Sequence, residues 1–136
     1  MAAQIPDKYR DLLDRPVFVA LATVNPDGQP QVTPVWCSYD GTHVLINTAR
    51  GRQKDQNMTR NPRVTIMAID PNNPYRWMEI RGRVDEVTEE GGVDHINYLS
   101  GKYTGDDDYY RQDPGRRQRE TRVIYKITPT HVNASG

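Results

Sequence analysis

The chain has 136 residues, and 18 Lys+Arg balance 18 Asp+Glu, so its formal net charge is zero. That balance argues against nucleic acid or an anionic membrane surface as a general partner, and no apolar run approaches membrane-spanning length. One domain over residues 1–136 with 35% hydrophobic content has a thin core, which predicts a homodimer that buries further apolar surface. Residues 1–15 form an N-terminal arm in which residues 8–13 read as a short helix, stopped before Arg15-Pro16. Residues 17–24 are a continuous apolar run and predict a strand buried on both faces. Asn25-Pro-Asp-Gly28 is a turn signal. Residues 31–39 make a second strand, Asp40-Gly41 a hairpin turn, and residues 44–48 a third strand.

Residues 47–62 carry the strongest signal. Arg50, Arg52 and Lys54 stand at the entrance of a helix that begins near Arg52 and ends at Asn61-Pro62. A helix N-terminus offers free N–H groups and a partial positive charge. Cations placed there oppose the dipole by about 0.3–1 kcal/mol, which asks for an anion nearby. The alternative is a solvated helix entrance. A phosphorylated cofactor is the ligand that this cluster suggests.

A fourth strand follows at residues 63–69, then a loop with two prolines at 70–74. Residues 76–87 alternate, with Met78, Ile80 and Val84 on one face and Trp77, Glu79, Arg81 and Asp85 on the other. Gly82 interrupts the apolar face and predicts a bulge or a close approach. Thr88 is a candidate cap for a helix with Val93, Ile96 and Leu99 on its apolar face. Residues 101–115 form a polar, acidic surface excursion, and residues 122–128 the last strand, with a frayed tail at 133–136. The sum is a mainly β chain: six short antiparallel strands closing into a small barrel with flanking helices.

Cys37 is the only cysteine, so there is no intrachain disulfide and a reducing compartment is expected. The opening Met-Ala-Ala-Gln-Ile-Pro lacks the apolar core of a signal peptide, and the expected location is cytoplasmic. His43, His95 and His131 lack metal-ligand spacing, so no metal site is predicted. Trp36 and Trp77 read either as packing residues or as ring-stacking platforms.

Leu21-Ala-Thr23 on the first strand, Asp27-Gly-Gln-Pro30 in the first turn, and Arg52-Gln-Lys54 followed by Asn61-Pro-Arg-Val64 carry a resemblance. In this order of elements the chain resembles the split-barrel flavin-binding superfamily that includes pyridoxamine 5′-phosphate oxidase. Within it, the chain is most similar to the small deazaflavin (coenzyme F420)-dependent oxidoreductases. The resemblance runs from residue 16 to residue 132 and implies a six-stranded split β-barrel. It implies a homodimer with the cofactor in a groove between subunits, and a small-molecule acceptor. By the same resemblance Lys54 takes the cofactor phosphate, with Arg50, Arg52, Gln53 and Asn57 as neighbours. Thr33, Pro34, Val35 and Trp36 lie along the ring system, Thr48 reaches the cofactor tail, and Trp77 faces the dimer groove. The branch that uses FMN places an Arg and a Lys on the second strand, where this chain has Val32 and Cys37. FMN would forgo two charge-assisted bonds of about 1.5–3 kcal/mol each. The resemblance therefore implies an F420H2-dependent reductase, with an FMN oxidase or flavin reductase, or a carrier of F420, FMN or haem, as alternatives.

Overall fold

The computed structural model describes residues 2–136. Seven strands form one antiparallel sheet: β1 (Val19–Val24), β2 (Pro30–Val35), β3 (Cys37–Tyr39), β4 (Val44–Ala49), β5 (Arg63–Ile69), β6 (Trp77–Thr88) and β7 (Arg122–Ser135). Their order is β2-β1-β5-β6-β7-β4-β3. β2 and β3 therefore occupy opposite edges, yet only Trp36 separates them in sequence. Three consecutive Cα atoms span at most about 7 Å, so the sheet must curl until its edges meet at Trp36. The result is the split barrel.

Seven strands replace the six expected because residues 31–39 do not form one strand. The chain pairs with β1 as far as Val35, then crosses the seam and pairs with β4 from Cys37. β1 is also not buried on both faces. Its residues alternate buried and half-buried, since its outer face is uncovered.

The helices are α1 (Asp11–Asp14), after a 3₁₀ turn at Asp7–Tyr9, then α2 (Gln53–Arg60), α3 (Gly92–Thr104) and α4 (Arg116–Arg119). The barrel interior is filled by Leu21, Ile46, Ile66, Met78, Ile80, Tyr125 and Ile127, with Leu12 and Leu13 closing one end. A second cluster, Ile96, Leu99 and Tyr110, packs with Trp36 and Tyr103 beneath α3. Lys102 ties the two together by donating from Nζ to the Leu13 carbonyl at 2.6 Å and the Cys37 carbonyl at 2.7 Å.

Gly82 marks the predicted close approach. A Cβ there would lie 2.6 Å from Ile127 Cγ2, and the β6–β7 register shifts between Arg81 and Gly82. Thr88 does not cap a helix; it ends β6, and α3 instead starts after Gly91 at φ 78°. The tail does not fray. β7 continues to Ser135, which pairs with Trp77, because β6 is long enough to template it.

Candidate functional site

The functional geometry gathers at the seam. A cleft of about 170 Å³ lies there, lined by Phe18, Pro34, Val35, Trp36, Asn47, Thr48, Arg52, Lys54, Ile96, Leu99, Tyr109 and Arg122. One end is apolar and aromatic. Trp36 stacks on Tyr103 with centroids 5.2 Å apart and meets Tyr109 edge-on at 6.1 Å. The other end is cationic, where α2 begins and β4 pairs with the start of β7.

The turn into α2 is built by Asp55. Its Oδ2 accepts from the Gly51 N–H at 2.9 Å and its Oδ1 from Arg50 Nη1 at 3.0 Å. Gly51 sits at φ 94°, a backbone region that favours glycine. Burial alone would raise the Asp55 pKa, but bonds from Tyr125, Gly51 and Arg50 outweigh it and hold the carboxyl below its ordinary range. Arg52 takes the N-cap position and supplies no side-chain cap.

Lys54 is half-buried and makes no ion pair or hydrogen bond among the described residues. Burial first, then Arg52 and Arg122, push its pKa below the usual lysine range. Arg122 is the deepest cation, with its side chain 2% exposed. It is held by Glu120 at 3.1 Å and by the Tyr109 hydroxyl at 2.9 Å. Arg52 reaches the same Glu120 only at 3.9 Å. Glu120 is thus shared by Arg52, Arg116 and Arg122, and Lys54 has no carboxylate partner among the described residues. Beside them the Thr48 hydroxyl is buried, 1% exposed, with no hydrogen-bond partner. An unmet buried hydroxyl costs about 1–3 kcal/mol. A phosphate oxygen would satisfy it together with the cations, so these residues fit an anionic cofactor tail.

Of the predicted site residues, Pro34, Val35, Trp36, Thr48, Arg52 and Lys54 line the cleft. Five do not. Arg50 is turned away, spent on Glu89 at 2.9 Å and on Asp55. Gln53 is exposed and bonds Asn57. Asn57 is fully buried and pins α2 to β1. Thr33 faces inward on β2, where its hydroxyl is also buried without a partner. Trp77 lies on the outer face at the far end of β6.

Sequence reasoning missed Arg122, Asn47, Phe18, Tyr109, Ile96 and Leu99 as cleft residues. Arg122 had a readable signal: a charge opening a run, Arg-Val-Ile-Tyr125, that is otherwise apolar or aromatic. Phe18 had none before its 61% exposure was known. Glu79 and Arg81 pair with each other at 3.2 Å and stay outside the cleft.

A larger groove of about 530 Å³ runs over Pro30, Pro62, Arg63, Arg81 and Arg83. Its cations are exposed, and Arg81 and Arg83 are spent on Glu79 and Asp85. It lacks the buried, uncompensated polar groups of the seam. Among the described residues no cluster of His, Cys, Asp and Glu is placed to hold a metal. No helix among them is long and apolar enough to cross a membrane.

Comparison with known proteins agrees with this architecture. The solved structure of an F420 reductase superposes with a TM-score of 0.82 at 36% identity, covering 95% of this chain and 98% of that one. A conserved hypothetical protein from Mycobacterium tuberculosis superposes at 0.73 with 26% identity, over 98% and 86% of the two chains. Among curated proteins, the pyridoxine/pyridoxamine 5′-phosphate oxidase of Rhodopseudomonas palustris (strain BisB5) is 32% identical over 91 residues. That match covers 66% of this chain and 42% of the relative's length. The family model for pyridoxamine 5′-phosphate oxidase matches residues 5–136. The chain belongs to the pyridoxamine 5′-phosphate oxidase family, with the split-barrel fold.

Proposed function

We propose that the seam cleft binds coenzyme F420 and that the chain is an F420H2-dependent oxidoreductase acting on an electron-poor small-molecule acceptor. The observation that carries this is the meeting of Arg52, Lys54 and Arg122 with the unpartnered Thr48 hydroxyl, opposite an aromatic wall. The likeness to an F420 reductase supports it. So do the two positions, one on β2 and one on β3, where the FMN branch carries cations. Val32 is 60% exposed and Cys37 is fully buried, so neither position brings a cation to the cleft. The phosphate would rest on Lys54, Arg52 and Arg122, and the ring on Pro34, Val35 and Trp36.

When bound, reduced F420 supplies a hydride from its central ring. The chain's own share is to hold the tail, orient the ring and keep one ring face open to the acceptor. The reading includes a homodimer. Paired positions share a face, so Val32, Ala22 and Thr65 lie side by side, as do Pro34, Ala20 and Met67, then Ile69 and Trp77. This part of the outer face is largely apolar, with the paired Glu79 and Arg81 continuing the same rows, which suits a second copy. Across such an interface Trp77 would reach the groove as a partner residue.

The family match favours a second reading with FMN in the same cleft. A haem carrier finds no histidine ligand among the cleft-lining residues, since His43, His95 and His131 all lie outside that lining. Titration of the purified protein with F420 and with FMN separates the readings. The expected result is tighter binding of F420. Equal or tighter FMN binding overturns it in favour of the flavin. Tight F420 binding without oxidation of F420H2 by any enone or quinone in a panel would leave a carrier instead.

A further inference from the structure

Arg122 is held in the cleft from behind as well as from the side. Asn47 on β4 accepts from Arg122 Nη1 at 3.4 Å through its Oδ1. The same amide donates from Nδ2 to the Gly92 carbonyl at 2.9 Å and contacts His95 Nδ1 at 3.1 Å. A carbonyl only accepts, so the amide nitrogen must face α3 and the amide oxygen must face Arg122. His95 Nδ1 must then accept, which leaves the ring proton on Nε2, donating to the Ser38 hydroxyl at 3.0 Å. Both polar atoms of the Asn47 amide are committed, and the bonds to the Gly92 carbonyl and to Arg122 exclude the flipped orientation. Gly92 also abuts the backbone of Arg122: a Cβ there would lie 2.5 Å from the Arg122 carbonyl oxygen. The start of α3 thus grips the main chain of Arg122 directly and its side chain through Asn47.

The anchorage leaves donors over. Nη2 serves Glu120 and Tyr109, Nε serves Glu120 and Tyr110, and Nη1 makes only the long bond to Asn47. A guanidinium has five N–H groups, so Nη1 keeps one for a ligand. We propose that Asn47 is a positioning residue of the cleft: its amide, locked by the Gly92 carbonyl and the His95 ring on α3, fixes the Arg122 guanidinium so that Nη1 meets the bound anion. In its ligand this rests on the F420 reading; in its geometry it does not.

The test has two arms. In the first, Arg122 side-chain N–H resonances are followed by NMR in the protein without ligand. Asn47→Ala should free rotation about the Nη1 bond and average those signals, whereas Lys54→Ala should leave them sharp. His95→Asn, which keeps an acceptor near the Nδ1 position, should preserve them, and His95→Leu should not. Unchanged Arg122 signals in Asn47→Ala overturn the proposal. In the second arm, F420 affinity of the folded protein should fall about tenfold in Asn47→Ala, the worth of one bond to a charged group. Averaged Arg122 signals with full F420 affinity would also overturn it. If F420 fails to bind even the unaltered protein, the cofactor reading falls, while the first arm still decides the role of Asn47.

Discussion

Asn57 donates from Nδ2 to the Thr23 hydroxyl at 3.0 Å, joining α2 to β1 across the interior. The same amide nitrogen bonds Asn25 at 2.9 Å, and its oxygen accepts from Gln53 and Arg60. With its amide fully engaged and no exposure, Asn57 is a brace for α2, and its expected role as a cofactor neighbour does not hold within this chain. Asn57→Ala should destabilise the fold by about 1–3 kcal/mol, because the Thr23 and Asn25 groups lose a buried partner. Chemical denaturation measures the loss. Cofactor affinity of the folded fraction should stay the same, and a large drop in it would return Asn57 to the site.

Lys54 behaves in the opposite way. Its ammonium is half-buried beside Arg52 and Arg122 without a carboxylate of its own, so the charge is unfavourable until an anion arrives. Lys54→Ala should weaken F420 binding more than tenfold while the melting temperature of the free protein holds or rises. Titration and a thermal melt on the same preparation check both halves. A variant with unchanged affinity would place the phosphate elsewhere.

His95 carries a pH signature. Burial, reinforced by the positive charge of Lys102, pushes its pKa from 6.5 down to about 4. The unfolded chain therefore takes up a proton before the folded one does. This contribution to stability is intact above pH 6.5 and is lost as pH falls toward 4. His95→Asn should flatten the stability profile across that window. Denaturant midpoints between the two limits report it, and a profile that stays steep in the variant would assign the slope to other groups.

Gly92→Ala tests the contact between α3 and β7. The new methyl carbon would meet the Arg122 carbonyl oxygen at 2.5 Å and its carbonyl carbon at 2.8 Å, both backbone atoms. Overpacking of this kind costs about 1–3 kcal/mol. Ligand affinity should fall too, because α3 must lift from the cleft. Gly105, with nothing within 4 Å of an added Cβ but a φ of 86°, serves as a control whose cost comes from backbone conformation alone. Its substitution should leave affinity intact.

The mainly β chain was legible because short apolar strand runs are separated by the turns Asn25-Pro-Asp-Gly28 and Asp40-Gly41, and residues 76–87 alternate. Lys54 and Arg52 were legible because a helix entrance with cations is locally anomalous. Arg50 looked identical to them in sequence. Only the carboxylates of Asp55 and Glu89, one of them 39 residues away, turn it outward. The break at Trp36 was hidden for a similar reason: a chain that moves from one sheet edge to the other shows no local change in propensity. Arg122 was overlooked because its neighbours in the cleft, Asn47 and Lys54, are more than sixty residues distant. Long-range pairing, not composition, decides such positions.

The strand order has a consequence for biosynthesis. β7 is inserted between β6 and β4, whereas β1, β2, β5 and β6 can pair as soon as they exist. During translation β3 and β4 can form only an isolated hairpin, which is marginal in water. Both β4 and β6 then present open hydrogen-bonding edges, a template for association with other nascent chains. The keystone strand also delivers Arg122, so competence to bind ligand would appear late and all at once. An arrested ribosome that has not yet released residues 122–135 should hold a chain susceptible to proteases and blind to the cofactor.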